Sequence, residues 1–482
     1  MGLDESVFKA NDIRGTVPEQ INEEFAFLVG RGLVRGLNAQ RIAVGWDGRI
    51  SSPGLASALS AGVLAEGGVL DSLGLSPSEL LYYVMGAMPG YDLGVMVTAS
   101  HNPGRFNGFK IIAPGALPLT ERTGLDALRG WMRSHWGAGG RTGAFTQAPA
   151  GTLDVEGEYM AHCVRAAGGL PRAAGLKVVV DPGNGTGGLL WQRLSALTRV
   201  EPLRMNFEPD GRFPAHAPDP SKPDNLKGLL ERVAAEHADL GLAYDGDADR
   251  TVVVLSGGHI MDGSEMIAAL AERAPAGGRS GRFGVSMTTS RGVLDHFRAR
   301  GCEPVMVPVG HAKVKRIMQA DAEMAFAGEQ SGHYFYREFF CAESSVITTL
   351  HVLHLASAGR LARLVAELPG PWHAPSAEAS FHFDRQDRAL RVCRAVARSG
   401  LEMFPGPREI MCEINWAIAR ACRPEDLDRC EGVRVDYDDW WFCVRPSATE
   451  PVARLRVEAL DPDLRRSRQE ALAALFGRGA GE

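Results

Sequence analysis

Leu93-Gly94-Val95-Met96-Val97 is an apolar run that stops at a polar cluster, Thr98-Ala99-Ser100-His101-Asn102-Pro103. A short apolar run bounded by turn residues reads as a buried strand. The cluster, with Gly104 and Asn107-Gly108 behind it, reads as the loop leaving that strand's C-terminal end. Open α/β sheets place their ligands at such ends. Ser100 there, with His101 beside it and Lys110 further on, is a hydroxyl suited to handling an anion. The same residues also suit an ordinary Ser-Asn-Pro turn, because these residue types dominate turns for backbone reasons.

The rest of the chain repeats this theme. Phe25, Leu28, Val29, Leu33, Val34 and Leu37 recur at helical spacing. Arg41 to Gly45 predicts a strand, and Pro53 to Glu66 a helix with Ser52 as its cap. Together with the strand at Leu93–Val97 they give a βαβ pattern. A glycine-rich stretch, Trp136 to Gly143, predicts the first domain boundary. Leu176 to Asp181 predicts a strand, followed by the loop Pro182-Gly183-Asn184-Gly185-Thr186-Gly187-Gly188 and a helix near Leu189. Such a loop can cradle phosphate or simply pack strand against helix; it lacks the Gly-Lys-Ser/Thr of a P-loop. Leu240–Tyr244 and Thr251–Leu255 predict strands on either side of Asp245-Gly246-Asp247-Ala248-Asp249-Arg250. A third unit runs through strands at Phe283–Met287, Val305–Val309 and Glu323–Ala327, with helices at Gly292–Arg300, from His311, and at Ser345–Ala358. Leu368-Pro369-Gly370-Pro371 predicts a linker. Beyond it, a helix at Asp387–Arg398, strands at Gly432–Tyr437, Trp440–Val444 and Arg454–Glu458, and a helix at Leu464–Phe476 lack strict alternation, which suggests a small α+β domain.

Composition excludes several classes. With 482 residues, 45% hydrophobic and 23% charged, the chain should fold into several globular domains. Lysine plus arginine number 52 against 58 acidic residues, a net −6 that argues against nucleic acid as the main partner. The 8 cysteines form no C-x-x-C pair, so free buried thiols in a reducing compartment are expected. Neither a signal peptide nor an apolar membrane-length run stands out, so a soluble cytoplasmic protein is expected. Met1 to Ser6 fits the loose myristoylation pattern, but no basic cluster follows closely and the match reads as chance.

Three loops carry chemistry. Asp245, Asp247 and Asp249 alternate, so an extended loop would turn all three carboxylates one way. Three such charges repel unless a cation lies between them, and oxygen-only ligands select magnesium or calcium. An EF-hand is excluded, because Arg250 stands where it needs glycine and Ser256 where it needs glutamate. A solvated acidic turn is the alternative. Arg445-Pro446-Ser447-Ala448-Thr449-Glu450-Pro451, read as a loop, offers with Arg454 the guanidinium forks, hydroxyls and amides that hold a phosphate dianion; a solvated surface loop is the alternative. Glu329 and Ser331, in Gly328-Glu329-Gln330-Ser331-Gly332-His333, suit hydrogen bonding to sugar hydroxyls. Lys110 and His311 are candidate acid/base or phosphate groups. Arg14 before Gly15 is either a phosphate contact or a solvated loop arginine.

In their order, these motifs resemble the α-D-phosphohexomutase superfamily over nearly the whole chain. Thr98 to Pro103 is similar to its phosphoserine loop, Asp245 to Arg250 to its metal loop, Gly328 to His333 to its sugar loop, and Arg445 to Pro451 to its phosphate loop. The resemblance implies four domains around a central cleft: three α/β domains with mixed sheets and a smaller C-terminal α+β domain. The divisions expected are 1–148, 149–255, 256–369 and 370–482. It implies a phosphoryl group on Ser100 and one Mg²⁺ held by Ser100, Asp245, Asp247 and Asp249. It implies catalytic roles for His101, Lys110, Arg250 and Arg14, and substrate binding by Glu329, Ser331, His311, Arg445, Ser447, Thr449 and Arg454. A hexose 1,6-bisphosphate would serve as intermediate and activator. Phe8-Lys9-Ala10, Asn107 to Lys110 and Phe213 to Pro220 resemble the phosphomannomutase/phosphoglucomutase branch, whereas Gln330 resembles the phosphoglucosamine branch. Asn11, Thr288, Glu343-Ser344 and Ala448 depart from the pattern. A phosphatase would need a second metal cluster, which the sequence does not suggest; a catalytically weak sugar-phosphate-binding protein is the other alternative. Expected partners are small-molecule sugar phosphates, with neither nucleic acid nor membrane, for a monomer or homodimer.

Overall fold

A computed structural model describes residues 2–137, 151–273, 281–368, 378–447 and 451–479. The glycine-rich boundary stretch after Gly137, the linker beyond Leu368 and the segment Ala448-Thr449-Glu450 lie outside the described residues.

The first sheet is built from β1 (Ile13–Thr16), β2 (Arg41–Trp46), β3 (Val69–Leu75), β4 (Leu93–Val97), β5 (Phe106–Ala113), β6 (Leu117–Pro118) and β7 (Gly151–Thr152). Its order is β1-β5-β4-β2-β3-β7 with β6 on β5, and it is mixed: β2 runs parallel to β3 and β4, while β5 runs antiparallel to β1 and β4. Helices α1 (Glu23–Arg35), α2 (Ser52–Ala65), α3 (Ser78–Ala87) and α4 (Leu125–His135) accompany it. Apolar side chains of α1, α2 and α4 pack with Val44, Val95, Phe109 and Ile111 into one core.

A second, four-stranded sheet has the order β11-β10-β8-β9, from β8 (Val178–Asp181), β9 (Leu203–Arg204), β10 (Leu240–Tyr244) and β11 (Thr251–Leu255). Helices α5 (Glu156–Ala166), α6 (Gly187–Thr198) and α7 (Lys227–Ala235) belong to this stretch. The third stretch holds α8 (Gly263–Ala271) and the parallel strands β12 (Arg282–Ser286), β13 (Glu303–Val307) and β14 (Met324–Gly328), with α9 (Arg291–Ala299) and α10 (His311–Ala320) between them. A hairpin of β15 (Tyr334–Tyr336) and β16 (Ala342–Glu343), then α11 (Ser345–Ser357) and α12 (Arg360–Glu367), follow. The last sheet is antiparallel, in the order β17-β22-β21-β20-β18-β19. Its strands are β17 (Ala379–His382), β18 (Glu409–Ile414), β19 (Ala417–Ala419), β20 (Gly432–Asp436), β21 (Trp440–Pro446) and β22 (Val452–Ala459), and α13 (Gln386–Met403) and α14 (Pro462–Gly479) belong with it. Phe442, Leu455 and Val457 meet Val396 and Leu472 in its core.

The chain forms two compact units. One is Met1–Met261, Glu272–Pro275 and Ser331–Ala362. The other is Asp262–Ala271, Ala276–Gln330 and Arg363–Glu482. Among the described residues, no helix is long and apolar enough to cross a membrane, and all eight cysteines are buried and free.

Several local expectations are corrected. Asn107 and Gly108 are not loop: they lie in β5, where a Cβ on Gly108 would stand 1.9 Å from the Ile13 carbonyl oxygen of β1. The close backbone approach, rather than a turn, requires the glycine. Arg14 is likewise a buried strand residue, on β1. Ser52 is the first residue of α2 rather than its cap; Ser51 takes the cap position, and the Ser52 hydroxyl donates to Asp47 Oδ1 at 2.6 Å. Arg445 and Pro446 end strand β21 rather than belonging to a loop. The βαβ expectation omitted β3 and α3, although α3 carries the apolar run Leu80 to Met85 and β3 four apolar residues.

Candidate active site

In the first unit, β4 delivers Ser100 into a left-handed turn at φ +50°, a backbone conformation costly for a residue with a Cβ. The turn is held from behind by Arg49, which follows β2. Its guanidinium is fully buried and uses all its donors: Nε to Asp47 Oδ2 at 3.0 Å, Nη1 to the carbonyls of Pro103 and Phe106 at 2.8 and 2.9 Å, and Nη2 to those of Ser100 and Asn102 at 2.8 and 2.7 Å. Asp47 in turn accepts from the hydroxyls of Ser52 and Thr98 at 2.6 and 2.7 Å. None of this frame was read from the sequence. The available signal was that β2 runs into charged residues, Asp47-Gly48-Arg49, much as β4 runs into polar ones.

The Ser100 hydroxyl donates to Asp245 Oδ2 at 3.0 Å and lies 3.1 Å from His101 Nδ1. Asp245, Asp247 and Asp249 converge, but through a tight turn with Ala248 at φ +58° rather than through an extended loop. The turn is closed by the amides of Asp249 and Arg250 donating to Asp245 Oδ1 at 3.1 and 3.2 Å. One oxygen from each of the three carboxylates lies within 4.8 Å of the others. Lys110, which β5 points here, donates to Asp247 Oδ2 and Asp249 Oδ2, both at 2.6 Å. Burial alone would lower the Lys110 ammonium's pKa, but the two carboxylates hold it well above its ordinary value. Burial and the charges of Asp249 and Asp247 push Asp245 well above the carboxylate range. Asp249, although buried, is held well below that range by Lys110, His333 and Arg250. Opposite shifts within one triad are the mark of like charges sharing a site.

The donor set is all oxygen, and Asp247 Oδ1 is buried without a hydrogen-bond partner. The residues therefore fit a hard divalent cation. Ser78, at the start of α3, supports Asp247 from the other side, with Oγ to Oδ2 at 2.5 Å and its amide to the Asp247 carbonyl at 3.0 Å. The glycine loop Pro182–Gly188 packs here and does not present itself as a phosphate cradle: the Thr186 amide donates to the Gly246 carbonyl at 3.0 Å, and a Cβ on Gly185 would lie 2.6 Å from that oxygen.

With Lys110, two further cationic groups, Arg14 and Arg250, stand near Ser100. Arg14 donates to Asn102 Oδ1 at 2.8 Å and pairs with Asp12 at 2.6 Å. Arg250 lies 3.6 Å from Asp245 and 3.3 Å from His333 Nε2. His333 pairs with Asp249 at 3.2 Å, and its Nδ1 lies 3.0 Å from the Ser331 hydroxyl. Ser331 is thus tied to the acidic triad through one imidazole, a link the sequence did not disclose.

In the second unit, Glu329 is buried and its Oε1 accepts from the Gly310 amide at 2.6 Å, next to His311 at the start of α10. Gln330 turns its amide to the Ser264 hydroxyl and to the Thr288 carbonyl, the latter at 3.4 Å. Arg445 and Arg454 are directly opposed on β21 and β22, and both bind Glu378, at 2.9 Å each. Ser447 follows β21, its amide donating to the Val452 carbonyl at 2.7 Å. Thr449 lies outside the described residues.

A nucleophile-type serine at a strand end, a triad of carboxylates suited to a divalent cation and a fork of arginines on the last sheet define an α/β protein made to handle phosphate groups. The chain belongs to the phosphoglucomutase/phosphomannomutase family, isomerases that shift a phosphoryl group within a hexose phosphate. Residues 5–128, 158–258 and 262–371 match its alpha/beta/alpha domains I, II and III, and residues 413–475 its C-terminal domain. The phosphomannomutase/phosphoglucomutase of Pseudomonas aeruginosa is 32% identical over 465 residues, 95% of this chain and 92% of that one. The phosphomannomutase of Escherichia coli is 30% identical over 481 residues, 97% and 98% of the two chains. The crystal structure of a phosphoglucomutase/phosphomannomutase family protein from Burkholderia thailandensis superposes with a TM-score of 0.80 at 27% identity, covering 99% of this chain and 98% of that one.

Proposed function

We propose that the chain interconverts hexose 1-phosphates and hexose 6-phosphates of mannose and glucose, through a phosphoserine at Ser100 and a hexose 1,6-bisphosphate intermediate. The observation that carries this is the placement of Ser100: a hydroxyl forced out on a left-handed turn, 3.0 Å from a carboxylate of the triad and ringed by cations. In the first half, a sugar hydroxyl attacks the phosphorus of phosphoserine and the bond from phosphorus to Oγ breaks. The hydroxyl proton passes to a base on the sugar's side of the phosphorus, while His101 Nδ1, 3.1 Å from Oγ, lies beside the leaving oxygen, where it can hand Oγ a proton. In the second half, the bisphosphate turns over and returns its other phosphoryl group to Oγ, restoring phosphoserine. Arg14, Arg250 and Lys110 spread the transferring charge. Asp245, Asp247, Asp249 and the serine phosphate would hold Mg²⁺, which supplies further charge stabilisation when bound. Glu329 and Ser331 take equatorial sugar hydroxyls. His311, Arg445, Ser447, Thr449 and Arg454 hold the phosphate that is not reacting.

The same reading divides the chain at 148/149, 255/256 and 369/370 and makes it a cytoplasmic monomer or homodimer acting on small sugar phosphates. The test is to incubate the protein with Mg²⁺, a trace of glucose 1,6-bisphosphate and either mannose 1-phosphate or glucose 1-phosphate, with Ser100→Ala alongside. Both 6-phosphates are expected, and the variant should lose at least 10³-fold in kcat, the order of a removed nucleophile. Glucosamine 1-phosphate is the third substrate: turnover of it alone would move the chain to the phosphoglucosamine branch, and turnover of none would refute the mutase.

A further inference from the structure

Arg445 and Arg454 face each other across neighbouring strands, an arrangement of like charges that is unfavourable without an anion between them. The anion present is part of the chain. Glu378 stands just before β17, which pairs with β22 so that Ser380 opposes Arg454. Its Oε1 accepts from Arg445 Nη2 and its Oε2 from Arg454 Nη1, both at 2.9 Å. Each carboxylate oxygen thus takes one guanidinium, as two oxygens of a phosphate would. Burial would raise this carboxyl's pKa, but Arg445 and Arg454 hold it below the ordinary range, so it is charged at neutral pH. The cluster is not sealed: the side chains of Arg445, Arg454 and Glu378 are 16%, 31% and 23% exposed, so a solute can reach it.

We propose that Glu378 is a built-in counter-anion that the incoming sugar phosphate displaces, and that it thereby sets the affinity of the phosphate fork. This rests on the reading of Arg445 and Arg454 as the clamp for the non-reacting phosphate. A dianion entering the fork takes over the hydrogen bonds that the carboxylate held. If both stayed, like charges would lie in contact, so the carboxylate swings away. Free arginines would grip a phosphate more tightly. A mutase whose bisphosphate intermediate must loosen and reverse gains from a fork that lets go, because uniform tightening of ground state and intermediate does not raise turnover. The carboxylate also keeps the two guanidiniums apart and aimed while the fork is empty.

The test is steady-state kinetics of Glu378→Gln, with inorganic phosphate as a competing anion. Gln keeps the shape but not the charge. The KM for glucose 1-phosphate and the Ki for inorganic phosphate should both fall, by about tenfold, equivalent to about 1.4 kcal/mol, while kcat falls because release slows. Glu378→Asp, which keeps the charge on a shorter arm, should shift both constants the same way but less. A rise in KM and Ki would overturn the proposal and make Glu378 an aligning residue for a bound phosphate. Unchanged constants in a variant whose melting temperature is also unchanged would overturn it too. Arg445→Ala and Arg454→Ala separate the two levels: if they leave KM and Ki alone, the clamp assignment itself fails. If they raise both constants while Glu378→Gln does not lower them, only the displacement fails.

Discussion

Replacing Arg49 with methionine tests the idea that the Ser100 turn is held from behind. Methionine fills similar volume but donates nothing, so four carbonyls, those of Ser100, Asn102, Pro103 and Phe106, lose a charge-assisted donor and Asp47 loses its cation. Breaking a buried ion pair costs about 3–5 kcal/mol. The Ser100 carbonyl, whose bond to Arg49 is buried, would add about 1–3 kcal/mol if the loop stayed rigid. The cheaper response is for residues 99–106 to open to water, leaving a net loss of stability of about 3–5 kcal/mol and a Ser100 hydroxyl out of place. A displacement of about 1 Å at a reacting atom costs on the order of 10²-fold in rate. The assay is intact-protein mass spectrometry of the transfer of phosphate from glucose 1,6-bisphosphate to Ser100, with urea melts in parallel. Arg49→Lys, with three donors for five, should fall between the two. If Arg49→Met phosphorylates within twofold of the native rate and loses less than about 1 kcal/mol, the frame does not position the serine.

Lys110→Met removes the ammonium between Asp247 and Asp249. Divalent-cation affinity measured by calorimetry should rise at least tenfold, since two like-charged carboxylates are left facing each other, while kcat falls. Gly108→Ala sets a methyl group 1.9 Å from the Ile13 carbonyl oxygen. It should separate β1 from β5 at about 3 kcal/mol or more, read as a lowered melting midpoint. His216 lies 3.1 Å from Asp181 Oδ2 and 2.9 Å from the Ala217 carbonyl, two acceptors that favour imidazolium, so the Asp181 hydrogen bond raises its pKa above 6.5 against the opposing effect of burial. A raised pKa means that the stability it adds is present in full below pH 6.5 and lost as pH climbs through the folded value. The gap between native protein and His216→Ala, about 1 kcal/mol, should therefore be widest near pH 6 and narrow toward pH 9 in urea melts.

The parts of this protein legible in its sequence were those where a local pattern suffices. Strands β4, β8, β10 and β12 are short apolar runs buried on both faces, and each ends within a residue or so of its predicted end. The polar residues that follow β4 and β10 hold Ser100 and the three aspartates. What was hidden depends on partners distant in the chain. Asn107-Gly108 is a turn signal by composition, yet the Ile13 carbonyl makes it a strand. Arg49 reads as one more loop arginine until four carbonyls from 100 to 106 close on it. Glu378 has no motif at all. Its meaning comes from β17 lying beside β22, a pairing across some 75 residues that no periodicity announces.

The place of β1 bears on how the chain is made. Its hydrogen-bonding partner on the sheet is β5, so Ile13 waits for Phe109. At about 5–20 residues per second, the ribosome delivers that partner on the order of 5–20 s later. Through that interval the first strand of the nascent chain has an open edge, and Arg14 has Asp12 but not yet Asn102. A chain cut off before residue 106 would therefore carry an unpaired strand into solution, and its quality control would fall to chaperones rather than to its own sheet.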